Sequence, residues 1–181
     1  MRYPTHLVAG ACATLGLGYL AQVPIGLPEI AAGAVAGLLP DIDYALPTLE
    51  LSRVPLVRRL AGRIGDSGLA HAVAVVLPAG VLLGLLAALP TGRIGMLVAV
   101  VAGVLSHLLL DLFGQIGVQL WAPFSRAWIA VPPWERLRPS RGGTVEMSIF
   151  IGGGVLLAGL GGYALFPYAV RFFQQLPGGW P

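Results

Sequence analysis

Lysine is absent from this chain, so all 11 of its basic side chains are arginine. Charge of either sign is scarce, at 10% of residues, against about a quarter in ordinary soluble domains. A net charge of +3, dispersed along 181 residues, excludes nucleic acid as the expected partner and suits arginines set against anionic lipid headgroups. The single cysteine, Cys12, excludes an intrachain disulfide and a thiolate zinc cluster. Inside an apolar run it reads as a small hydrophobe. No G-x-S-x-G elbow and no phosphate-cradling P-loop occurs, so serine-nucleophile and nucleotide chemistry find no support.

What remains is apolar: hydrophobic residues make up 56% of the chain. The expected fold is all-α, a single integral membrane domain over residues 1–181 with five apolar helices at about 5–21, 28–39, 67–89, 92–114 and 145–170. Several approach the roughly 20 residues that cross a bilayer. The opening "MRYPTHLVAGACATLGLGYLAQ" caricatures a signal peptide, but its basic region is Arg2 alone and His6 stands at the start of the run, so it reads as a retained helix. Pro78 predicts a kink in the third helix. The abundant glycines of "GGGVLLAGLGG" suit close helix packing.

With a cytoplasmic N-terminus and five crossings, Arg2, the loop arginines Arg53, Arg58, Arg59 and Arg63, and the later Arg126, Arg136, Arg138 and Arg141 all fall inside. Arg93 and Arg171 fall outside. The second helix is short for a full crossing; were it re-entrant, the sides after it would exchange. The loop at about 115–142 interleaves Trp121, Phe124, Trp128 and Trp134 with arginines and prolines, the composition of a segment lying in the headgroup interface.

This topology brings the scarce polar residues to one depth. His6 opens the first helix, Asp41 and Asp43 of "LLPDIDY" close the second, His71 sits one turn into the third, and His107 and Asp111 of "SHLLLD" lie in the last two turns of the fourth. Ionisable groups in a membrane span are expensive and by default mark a site. Imidazole with carboxylate is the donor set of zinc, manganese or iron. The i,i+4 pair His107 and Asp111 shares one helical face, and Asp41 and Asp43 share a face if the chain after Pro40 is extended. Two metals, or one metal with supporting partners, both fit six such residues. Glu146, at the start of the fifth helix, can join the site or serve the helix dipole.

"PTHLVAGA", "GLLPDIDY", "GLAHA" and "SHLLLDLFGQIGVQLWAPFS", in that order, resemble the YdjM-like family of inner-membrane proteins, to which metal-dependent hydrolysis is ascribed; the resemblance covers about residues 4–128. It implies metal-site roles for His6, Asp41, Asp43, His71, His107 and Asp111. The third block departs from the family pattern: Ser67 stands for arginine, Ala70 for threonine and Ala72 for serine.

The function expected is a multi-pass hydrolase of the inner (cytoplasmic) membrane. It would use a divalent metal, zinc first, with manganese or iron as alternatives, to cleave a phosphoester of a lipid or lipid-linked substrate. Asp41 or Asp43 would orient the attacking water or act as base, and Arg126, Arg136, Arg138 and Arg141 would meet the anionic headgroup. Two other classes stand beside it. A transporter of protons or ions needs polar groups at successive depths, which the far halves of these helices lack. A structural metal staple needs a closed site.

Overall fold

The computed structural model describes residues 2–41 and 69–174, with side chains over 2–41 and 70–160. Asp43, Ser67 and the arginines at 53, 58, 59 and 63 lie outside the described residues. Five α-helices are present: α1 (Tyr3–Leu20), α2 (Leu27–Ala36), α3 (Val73–Thr91), α4 (Ile94–Leu112) and α5 (Thr144–Gln174). Short 3₁₀ turns occupy Leu39–Asp41, Leu69–His71 and Glu135–Leu137. Among the described residues there is no strand, only an isolated antiparallel bridge between Val118 and Ile129.

The five expected helices therefore exist, but as membrane spans the expectation is corrected. Among the described residues two helices, α3 and α4, are long and apolar enough to cross a bilayer. In α1, 18 residues long, polar Thr5, His6 and Thr14 and several glycines dilute the apolar character. The ten residues of α2 rise about 15 Å, half the hydrocarbon thickness. In α5 the apolar described portion is the shorter run Thr144–Leu160.

Local chemistry sets most helix ends. Pro4 and Pro28 occupy the first turns of α1 and α2, where a missing N–H costs nothing. Glu29 reaches back to accept the Gly26 N–H at 2.9 Å, half of a capping box. Gly92, at φ +64°, closes α3 in the left-handed conformation. The helix runs through Pro78 and Pro90.

At the centre lies α4, packed against α1, α2 and α3, while α5 packs on α1. An apolar cluster of Ala36, Val76, Val100, Val104 and Leu108 joins α2, α3 and α4. On the outside, α3 exposes Leu82, Leu86 and Leu89 and α5 exposes Val155 and Leu156, a greasy exterior that suits lipid.

The α1–α2–α4 junction depends on missing side chains. A Cβ on Gly103 would overlap the Gly33 carbonyl oxygen and come within 2.8 Å of Ala36 Cβ. A Cβ on Gly33 would overlap the Thr14 hydroxyl. Backbones can approach this closely only where small residues face each other. Farther along, Arg93 Nε reaches Glu29 Oε1 at 2.7 Å and Arg93 Nη2 reaches Oε2 at 3.0 Å. Glu29 is 1% exposed, so this bidentate pair pins the first turn of α2 to the start of α4.

Two stability outcomes are expected. Gly103→Val should cost about 3 kcal/mol or more by overpacking against backbone, whereas Gly152→Ala, where a Cβ meets nothing within 4 Å, should leave stability unchanged or slightly raised. Arg93→Met should cost about 2 kcal/mol, because Glu29 stays buried without its charge partner; the half-exposed guanidinium holds the figure below that of a fully buried pair. Thermal unfolding in detergent measures all three, and equal melting temperatures for the two glycine variants would contradict the packing account.

Candidate metal centre

The α1–α2–α4 contact delivers its polar residues to one point. His107 is fully buried one turn before the end of α4, and its Nδ1 lies 2.7 Å from the carbonyl oxygen of Gly37, at the end of α2. A carbonyl can only accept, so Nδ1 carries a proton and Nε2 is the nitrogen turned to the cluster, where in the neutral tautomer it offers a lone pair. That lone pair faces Asp111 Oδ2 at 3.2 Å, His71 Nε2 at 3.4 Å and Asp41 Oδ1 at 3.6 Å. His71 Nε2 is in turn 3.6 Å from both Asp41 Oδ1 and Asp111 Oδ2. One potential ligand atom from each of Asp41, His71, His107 and Asp111 lies within 4.8 Å of the others.

Two carboxylates and two imidazole nitrogens converge here, all of them metal-ligating groups once the histidines give up their Nε2 protons. Such a set is electrostatically satisfied by a cation at its centre, and a histidine that donates its other N–H to a carbonyl is the usual supporting arrangement of a metal ligand. The residues fit a divalent ion of the zinc, manganese or iron type.

His6 closes the inner wall. It is fully buried, its ring stacks on that of His107 with centroids 4.0 Å apart, and its Nε2 lies 3.4 Å from Asp111 Oδ1. The opposite edge is open: the side chains of His71, Asp41 and Asp111 are 14–16% exposed. At that edge the charges tune one another. Burial disfavours the cation of His71, but contacts with Asp111 and Asp41 outweigh it and push its pKa up to about 9. Burial likewise opposes ionisation of Asp41, yet the His71 contact and the nearby His107 and His6 hold it below the usual carboxylate range.

Five of the six expected metal-site residues are thus brought together, and Asp43 lies outside the described residues. Two local expectations are corrected. His71 belongs to a 3₁₀ turn before α3, not to its first turn, because the helix starts only at Val73, whose N–H donates to the Leu120 carbonyl of the long loop at 3.0 Å. Asp41 ends a 3₁₀ turn rather than lying in extended chain; the Asp41 N–H donates to the Leu38 carbonyl and curls the backbone back over α4. Nor does Glu146 join the cluster. It is buried where α5 meets α1, accepting from the Arg2 N–H, the Gly142 N–H and the Thr5 hydroxyl. Cys12 stays remote as well, its thiol directed at the Gly153 carbonyl.

The long loop leaves α4 just past Asp111 and covers the site end of the bundle. It exposes Trp121, Phe124, Trp128 and Trp134, and Arg126, Arg136 and Arg141 are exposed along it. Arg138 differs: its guanidinium donates to the carbonyls of Pro132, Gln115 and Pro133 at 2.7–3.0 Å, so this arginine is committed to the shape of the loop. The carbonyl of Gly37, the Glu29–Arg93 pair and the Glu146 clamp were missed by sequence reasoning. Only "GLPE", a glycine three residues before a glutamate, carried a signal, that of a helix start.

Residues 1–169 match the family described as YdjM inner membrane protein. No curated protein and no solved structure matches the chain.

Metal binding here must displace the proton that His71 holds below pH 9. Zinc affinity should therefore rise with pH, by about tenfold per unit for the one proton released, and level off above pH 9. Competition titration with a chromophoric chelator between pH 6 and 9.5 measures this slope. An affinity independent of pH would remove His71 from the ligand set.

Proposed function

Because the chain belongs to the YdjM inner membrane protein family, we propose that it is a multi-pass membrane hydrolase that cleaves a phosphoester of a lipid or lipid-linked substrate at the cytoplasmic face, using a divalent metal ion. The observation that carries this reading is the asymmetry of the cluster: His6 and His107 are sealed, whereas Asp41, His71 and Asp111 form a partly open edge. A structural metal site is closed by protein on every side, and a catalytic one keeps a position open. For transport, a buried histidine–carboxylate cluster would have to continue as a polar path, and the core beside it is the apolar set Val76, Val100, Val104 and Leu108.

Asp41, His71, His107 and Asp111 would hold the ion, with the Gly37 carbonyl fixing the ring of His107. When bound, such an ion supplies Lewis acidity toward a phosphoryl oxygen and acidifies a coordinated water. Asp41, at the partly open edge, or Asp43, two residues further along the sequence, would orient an attacking water or act as base. Arg126, Arg136 and Arg141 would attract the anionic headgroup, while the exposed tryptophans of the same loop sit at headgroup depth. The alanines at 70 and 72 are buried, at 7% and 0% exposure. The threonine and serine of the family pattern would place hydroxyls in the wall behind His71 at these positions. Their loss removes polar partners there and leaves the imidazole itself in place.

The test is phosphate release from lipid phosphomonoesters and diesters in nanodiscs containing anionic lipid, with zinc or manganese added. Wild type should turn over at least one class, and Asp111→Asn should lose more than about 100-fold. Arg126→Gln with Arg141→Gln should raise KM and leave kcat within a few fold. Wild type no faster than Asp111→Asn across the whole panel would refute hydrolysis.

A further inference from the structure

Where α1 and α5 begin, a half-open crevice of about 380 Å³ is left between them. None of Asp41, His71, His107 and Asp111 lines it. The two helices run parallel from this point: Arg2 and Thr5 meet Glu146, and further along Val8 and Cys12 lie beside Gly153. The crevice therefore descends from the helix starts along the sides of the bundle.

Its two ends differ in chemistry. At the helix starts stands the exposed Arg2, whose guanidinium lies against the turn at Gly142. Gly142 has φ +74°, and a Cβ there would overlap the guanidinium, so the turn calls for glycine on both counts. Among the described residues no carboxylate pairs with this guanidinium. The Glu146 carboxylate, which also lines the crevice, is taken up by the Arg2 and Gly142 N–H groups and the Thr5 hydroxyl. Backbone holds the acid, and the donors of the arginine stay available. Arg141, exposed beside Gly142, adds a second positive charge. Farther along, the lining turns apolar, with Pro4 of α1 and with Met147 and Phe150 one turn apart on α5. Phe150 is 37% exposed, and exposed Ile151, Val155 and Leu156 continue the apolar surface beyond it.

We propose that this crevice seats an anionic phospholipid of the surrounding membrane, which is held there and not cleaved. Its phosphate meets the Arg2 guanidinium, and the first part of an acyl chain lies along Pro4, Met147 and Phe150. Charge and polarity are complementary along the whole length: guanidinium binds a phosphate in bidentate fashion, and the strip below it leads into the hydrocarbon-facing surface of α5. A free phosphate would use the arginine and leave the apolar strip in water. A zwitterionic lipid would fill the strip and bring no net negative charge to the arginine. The seat joins α1 to α5 at the level of the Glu146 clamp, apart from the metal cluster, and stands whether or not the protein is a hydrolase.

Native mass spectrometry of the detergent-purified chain tests it, with phosphatidylglycerol, phosphatidylcholine of the same acyl chains, and glycerol phosphate titrated in turn. Wild type should bind its first phosphatidylglycerol at least about fivefold more tightly than phosphatidylcholine, and glycerol phosphate should not displace it at equal concentration. Arg2→Gln should abolish the preference and Arg2→Lys should keep part of it, since a point charge remains without the planar fork. Both variants leave the backbone N–H that clamps Glu146 in place, and equal melting temperatures without lipid would show that the fold is kept. Arg171→Gln, the same loss of charge near the far end of α5, should keep the preference entire. No preference in wild type, or a preference that survives Arg2→Gln, would overturn the proposal. Glycerol phosphate binding as tightly as the lipid would also overturn it, leaving an anion seat without a chain.

Discussion

The rest of the structure is arranged around one contact, the hydrogen bond that His107 Nδ1 donates to the Gly37 carbonyl. With His107 Nδ1–H donating to the Gly37 carbonyl, the buried Nε2 looks onto two carboxylates and another imidazole at 3.2–3.6 Å. In the interior of an apolar bundle such a convergence calls for positive charge, which protonated His71 supplies and a bound metal ion would replace. The scarcity of charge elsewhere in the chain sharpens the point. A sequence that spends 10% of its residues on charge places two acidic groups and three histidines around one spot.

The geometry of that spot is set at a distance, by two clamps at opposite ends of the bundle. Glu29 and Arg93 lock the first turn of α2 to the start of α4, and from there the two helices run side by side until Gly37 meets His107. Small residues at 33 and 103 let them approach closely enough for the carbonyl to be reached. Glu146 ties the start of α5 to Arg2 and Thr5, in the first turn of α1 that leads into His6. Neither clamp touches the metal cluster, yet each fixes the axial position of a helix that contributes to it.

Helices, and the one-turn spacing of His107 and Asp111, were legible in the sequence because apolar length and an i,i+4 interval are local properties. The depth coincidence of His6, Asp41, His71, His107 and Asp111 was legible as well, because successive helices running in alternating directions bring alternate ends together. Less legible was where regular structure stops. His71 and Asp41 sit in 3₁₀ turns whose hydrogen bonds depend on a distant loop and on curling over α4, and apolar composition does not report either. The number of spans was overestimated because a ten-residue α2 and a polar-studded α1 look continuous in an apolar background; packed around α4, they are helices of the bundle without the length or hydropathy of a span. The Glu29–Arg93 pair joins residues 64 apart, beyond any local pattern.

X-ray absorption at the zinc edge tests the central claim most directly, because it reads the ligands themselves. For zinc-loaded protein the account predicts a first shell of nitrogen and oxygen at about 2.0–2.1 Å with the outer-shell scattering of imidazole and no sulfur. Loss of the imidazole signal on combining His71→Ala with His107→Ala would complete the assignment. A shell containing sulfur, or oxygen alone without imidazole, would contradict it and leave these five residues as a polar packing cluster.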